Sequence, residues 1–198
     1  MENSQGVKRV PAVLAVLLLA GCGATKTVTV TSTVTHTHTV TVTKPATTTL
    51  QAASSACHGD QLSGKFDAVE GSAGAGQIVY RLTVTNNGSS ACFVSGLPEV
   101  QLLGTTGSAL PTSVSAQPGA GTAAKVSLQP GGSASAEAQF SPDVNGTGDN
   151  TNGHCQPTAT VLRVTAPGGG TLDAPIQPPT SVCERGSLHF KSYAAPSP

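Results

Sequence analysis

Apolar and polar residues alternate with period two through most of the chain beyond Cys57. Ile78, Tyr80, Leu82 and Val84 alternate with Val79, Arg81, Thr83 and Thr85. Ala134, Ala136, Ala138 and Phe140 alternate with Ser135, Glu137, Gln139 and Ser141. Val126 with Leu128, Leu162 with Val164, Leu172 with Ile176, and Leu188 with Phe190 repeat the habit. Successive side chains of a strand point to opposite faces, so each set gathers its apolar members on one side. That is the pattern of half-buried antiparallel sheets.

Turn signals separate these runs. Gly71 to Gly76 follows the run from Leu62 to Val69, and Asn86-Asn87-Gly88 closes the next. Pro130-Gly131-Gly132 and Pro167-Gly168-Gly169-Gly170 suit tight turns, because Pro presets φ and Gly accepts positive φ. No stretch carries a convincing amphipathic helix. The expected fold is all-β: one immunoglobulin-like antiparallel β-sandwich over residues 57–193, with a short tail at 194–198.

The beginning of the chain has a different pattern. Lys8 and Arg9 precede an apolar run from Val10 to Leu19, interrupted only by Pro11, and Ala20-Gly21-Cys22 follows. The run falls short of the roughly 20 residues a membrane-spanning helix needs. A basic flank, a short apolar run and small residues together form a secretory leader over residues 1–21. Leu19-Ala20-Gly21-Cys22 resembles the lipobox of bacterial lipoproteins. That resemblance implies a lipid on Cys22 and cleavage just before it, placing the chain on the outer face of the cell membrane. Two or more acyl chains anchor stably where one does not. The alternative is an ordinary leader that happens to precede a cysteine.

From Thr25 to Thr49 Thr alternates with Val at about every second residue. Both residues are β-branched and could form a strand. Low complexity and the lack of a large apolar residue favour a spacer, so residues 22–56 are expected to be a tether. Its hydroxyl density would suit O-glycosylation. His36 and His38 fall on one face of this run, but closed metal sites need three or four ligands.

Charge narrows the function. Removing Lys8, Arg9 and Glu2 from ten residues of each sign leaves eight basic and nine acidic ones, a net charge of −1. With no basic field and few aromatic residues, the chain lacks the footprint of a nucleic-acid binder.

Cysteines sharpen the fold. Assigning Cys22 to a lipid turns five into four, and outside the membrane an even set reads as disulfides. Cys57 precedes the strand near Leu62, and Cys92 follows the strand ending near Thr85. If those strands form a hairpin, the two cysteines meet. The same geometry applies to Cys155 and Cys183 around the turn at Gly168–Gly170. The expected pairs are therefore Cys57–Cys92 and Cys155–Cys183. No CxxC pair supports a metal or redox site instead.

These residues resemble the domain of unknown function 4232 family, an actinobacterial lipoprotein module. The match rests on Cys57, the Gly-rich loop before Tyr80 and Leu82, and Thr85-Asn86-Asn87-Gly88-Ser89-Ser90-Ala91-Cys92. Gly96-Leu97-Pro98 with Val100 and Leu102, Leu128, Pro130-Gly131-Gly132-Ser133-Ala134, Cys155, Pro167 and Cys183 extend it. Leu97 stands where an aromatic is common in that family. The resemblance implies a secreted or lipid-anchored β-sandwich and assigns no catalytic residues.

Candidate chemistry is sparse. His58 and Asp60 supply two members of a triad, yet no Gly-x-Ser-x-Gly elbow provides a nucleophile. Asp143, Asn145 and Thr147 fall at the first, third and fifth places of a calcium loop and Gly148 at the sixth. The twelfth is His154 rather than the bidentate Glu such loops use. The sole methionine is Met1, which argues against a thioether copper site. Phe66, Tyr80, Phe140 and Phe190 fall on expected core faces, leaving Phe93 and Tyr193 as the expected exposed aromatics. The expected function is a non-catalytic binding module with no cofactor, its partner an envelope protein or cell-wall component. A spacer without a ligand is the alternative, and an unrecognised hydrolase or metal protein the third.

Overall fold

The computed structural model of the protein describes residues 28–30, 38–40, 55–120, 124–152 and 155–195. The chain divides into two compact units, residues 1–49 and 50–198. In the first, β1 (Val28–Val30) and β2 (His38–Val40) form an antiparallel ladder that pairs Val28 with Val40 and Val30 with His38. The β-branched alternation thus makes strand at these residues, within a stretch expected to serve as a tether.

The second unit is built almost wholly of strands. They are β3 (Leu62–Ala68), β4 (Ile78–Asn86), β5 (Cys92–Ser95), β6 (Glu99–Gly104) and β7 (Ser113–Ala116). Then come β8 (Lys125–Leu128), β9 (Ser133–Phe140), β10 (Ala159–Thr165), β11 (Thr171–Thr180) and β12 (Ser187–Phe190). Burial follows the sequence alternation closely. Along β9 every second residue from Ala134 to Phe140 is buried, and along β4 Tyr80, Leu82, Val84 and Asn86 point inward. Phe66, Tyr80, Phe140 and Phe190 sit in one core, with ring centroids 5.2 Å apart for Phe66–Tyr80 and for Tyr80–Phe140.

The layering differs from a sandwich of two separate antiparallel sheets. Eight strands form one sheet in the order β6-β10-β11-β3-β4-β9-β12-β7. Two of its pairings are parallel. β3 joins β11 at Phe66↔Ile176, and β7 joins β12 at Val114↔Leu188. The first of these welds what would be two facing layers into one continuous sheet. The end strands β6 and β7 are consecutive in sequence, and the chain between them folds back along β6. Leu110 N–H donates to Leu102 C=O at 2.9 Å, and Gln101 Nε2 donates to Leu110 C=O. The Thr112 hydroxyl accepts Leu102 N–H at 3.0 Å. The sheet is therefore nearly closed and barrel-like. β5 and β8 form a small antiparallel ladder whose Cys92, Val94 and Leu128 enter the same core.

Both hairpins expected to bring cysteines together are present: β3–β4 pairs Leu62 with Asn86, and β10–β11 pairs Thr165 with Thr171. Cys57 is bonded to Cys92 and Cys155 to Cys183, with Cα separations of 4.8 and 5.4 Å. The first disulfide ties the N-terminal segment to β5, where Cys57 N–H also donates to Phe93 C=O. Gly168 N–H donates to Cys57 C=O and Gly59 N–H to Gly169 C=O, fastening the β10–β11 turn to the same segment. Asn86, fully buried at the end of β4, closes that end of the barrel. Its Nδ2 donates to Ser90 C=O and Leu128 C=O, and its Oδ1 accepts Gly88 N–H.

Candidate functional site

Outward residues of β4 and β9 meet across their ladder. The register sets Arg81 opposite Glu137 and Thr83 opposite Ser135. Beyond β12 the chain continues along β9 as an irregular strap. Lys191 N–H donates to Glu137 C=O at 2.8 Å, and Ala194 exchanges both backbone hydrogen bonds with Ser135. Tyr193 N–H donates to Gly96 C=O, and the Tyr193 side chain is buried, whereas the sequence left it among the expected exposed aromatics. Burial pushes its phenol up, far from ionisation at neutral pH.

Strands and strap enclose a surface concavity of about 410 Å³ lined by Arg81, Thr83, Ser135, Glu137, Lys191 and Ser192, with Ala194 and Ala195 at its end. Glu137 lies between two cations. Its Oε1 accepts Arg81 Nη2 at 2.8 Å and its Oε2 accepts Lys191 Nζ at 2.9 Å. The hydrogen bond from Arg81, then that from Lys191, holds its carboxyl below the usual range against the opposing effect of burial. One carboxylate against two cations leaves a local charge of +1. Lys65 and Asp67 on β3 add one of each sign at 3.1 Å.

The second constellation is structural. Asp149, half-buried between β9 and β10, collects four donors. Oδ2 accepts the N–H groups of Gly146 and Glu184, and Oδ1 accepts Arg185 N–H and Gln156 Nε2. Glu184 and Arg185 stand at φ 54° and 58° and Gly186 at φ 78°, a left-handed turn beside the Cys155–Cys183 bridge. Partial burial works to raise the Asp149 carboxyl, but the four hydrogen bonds outweigh it and hold the group well below the usual range. Asp149, Cys155 and Cys183 lie within 4.8 Å of one another. The sulfurs are spent in the disulfide and both carboxylate oxygens already face donors, so the grouping is a structural knot. A more open concavity of about 460 Å³ borders it, lined by Gly148, Asn150, Asn152, Cys155, Gln156 and Pro157.

The remaining sequence candidates are dispersed. His58 Nδ1 and Asp60 Oδ1 lie 2.7 Å apart, both exposed, with the His58 ring against the Gly169–Gly170 backbone. A different Ser–His contact sits on the strand pair β7–β12, where Ser115 Oγ lies 2.7 Å from His189 Nδ1. Among the described residues neither histidine belongs to a serine, histidine and carboxylate hydrogen-bonded in series. Phe93 is half-buried, with the Lys125 ammonium 4.3 Å above its ring. Cys22, the 1–21 leader, His36 and His154 lie outside the described residues. The Arg81–Glu137–Lys191 cluster escaped sequence reasoning. Its signal was opposite charges at outward positions of alternating strands, but the register that joins them is set by the fold.

The second unit is thus a disulfide-stapled, nearly closed β-domain with a charged concave outer face. The chain belongs to the family described as Domain of unknown function (DUF4232), whose model matches residues 57–192. No curated protein matches the chain, and no solved structure does.

Proposed function

We propose that the chain is a lipid-anchored extracytoplasmic protein whose 57–193 domain is a non-catalytic binding module. The anchor is Cys22, placed by Leu19-Ala20-Gly21-Cys22 behind a short apolar run and a basic flank. Oxidised pairs at Cys57–Cys92 and Cys155–Cys183 suit a compartment outside the reducing cytoplasm. The observation that carries the binding role is the concave face around Arg81, Glu137 and Lys191, a preformed recess with converging polar groups. Its partner is an envelope protein or cell-wall component, and the recognition is polar. Among the described residues the exposed large hydrophobics are Leu97 and Val144, too few for an apolar docking patch.

The same scarcity of exposed apolar surface favours, as second reading, an envelope spacer without a discrete ligand. A photo-crosslinking amino acid at Ser192 of the full chain separates the two. A binding module gives discrete crosslinked species in native envelopes that are lost when the label moves to exposed Thr171. A smear equal at both positions would leave the spacer.

A further inference from the structure

We propose that the Arg81–Lys191 recess binds the carboxylate of a hydroxylated ligand, the chemistry of a sugar acid. This rests on the binding role proposed above and names its ligand class. The inference starts from hydrogen-bond capacity. Each Glu137 oxygen receives one cation, while the Arg81 and Lys191 side chains each make one hydrogen bond to it. A guanidinium has five N–H donors and an ammonium three, so donors outnumber this acceptor on the same face. Both cations are about half-exposed, at 48% and 55%, and remain reachable from solvent.

Charge selects the valence. The recess carries +1, which a monoanionic carboxylate neutralises. A phosphate dianion would leave net negative charge beside Glu137, a like-charge contact that disfavours binding. A guanidinium fork also matches the planar geometry of a carboxylate.

The rest of the lining selects what carries the carboxylate. Thr83, Ser135 and Ser192 bring three hydroxyls, each able to donate and accept, as ligand hydroxyls do. The wall is preorganised, since Lys191, Tyr193 and Ala194 commit their backbone N–H groups to Glu137, Gly96 and Ser135. Recognition therefore falls to the side chains, and little ordering is needed on binding.

The test uses the full-length 15N-labelled chain in detergent micelles, titrated at constant ionic strength with D-glucuronate, D-glucose, acetate, N-acetylalanine and inorganic phosphate. Glucuronate should give saturable shifts at the amides of Ser135, Glu137 and Lys191, with weaker effects from glucose, acetate and phosphate. R81Q and K191Q should each weaken glucuronate roughly tenfold or more, the scale of a lost charge-assisted hydrogen bond. R163Q, which alters a cation paired with Asp173 elsewhere, should not. Circular dichroism checks that each variant stays folded, and R81K, which keeps the charge, should fall between. Non-saturable shifts, shifts equally large at Arg163 and Lys125, or tighter binding of N-acetylalanine or phosphate would overturn the sugar-acid assignment. Discrete crosslinks at Ser192 alongside such a result would leave the binding role standing and remove only its ligand.

Discussion

Asp149 Oδ1 accepts the backbone N–H of Arg185 at 2.8 Å, across 36 residues of sequence. Arg185 and its neighbour Glu184 are left-handed without being glycine, a conformation that costs an ordinary residue about 1–2 kcal/mol. The Asp149 carboxylate binds both of their N–H groups and so holds the turn in place. Replacing Asp149 with Ala should lower the melting temperature and speed amide exchange at Glu184 and Arg185 more than elsewhere. Unchanged exchange at those two amides would show that the disulfide alone holds the turn.

The same carboxylate sets a pH dependence. A carboxyl held below its unfolded value of about 3.9 stabilises the fold fully above that pH. The contribution is lost as pH falls through the interval toward the folded value. The melting-temperature gap between wild type and D149N should therefore be constant from about pH 5 to 8 and narrow below about pH 4. A gap that opens on acidification would have the wrong sign.

Asn86 is fully buried and satisfies Ser90, Leu128 and Gly88 at once. Asn86→Ala strands two carbonyls and one N–H, and should cost about 1–3 kcal/mol in urea denaturation. A change below the error of the fit would mean that water replaces the side chain freely.

Two glycines with φ near 78° offer a contrast. A Cβ on Gly131 meets open space, whereas one on Gly186 would collide with the backbone carbonyl of Pro111. Gly131→Ala should cost about 1–2 kcal/mol, the left-handed penalty alone. Gly186→Ala should exceed about 4 kcal/mol or prevent folding, since backbone must move to admit it. Equal costs would place Gly186 away from Pro111.

The disulfides close loops of 35 and 28 residues. Chain entropy gives each about 3–4 kcal/mol, so C57S/C92S and C155S/C183S should each lower stability by a similar amount. A loss confined to one pair would show that the other bridge closes a loop already held by its hydrogen bonds.

Much of this architecture is legible in the sequence because its information is local. The alternation around Tyr80 and around Ala136 gives strands with their inner faces assigned, and hairpin logic pairs all four domain cysteines. The near-closure of the barrel is not legible. It depends on Phe66 meeting Ile176 and Val114 meeting Leu188, parallel contacts between distant stretches that no turn signal marks. Short strands such as Ser113–Ala116 show too little periodicity to stand out. Tyr193 looks like an exposed aromatic near the end of the chain, yet the strap along β9 buries it. The Arg81–Glu137–Lys191 recess is hidden for the same reason, since only the β4–β9 register and the strap bring its charges together.

The proposed role of Cys22 is to anchor the stapled β-domain outside the membrane. Intact-mass analysis of the membrane fraction, with C22A expressed alongside, tests it most directly. The expected result is a mature chain beginning at Cys22 and carrying added acyl mass, with C22A recovered in the soluble fraction. A membrane-bound chain that starts elsewhere, or a C22A protein that fractionates like wild type, would contradict it.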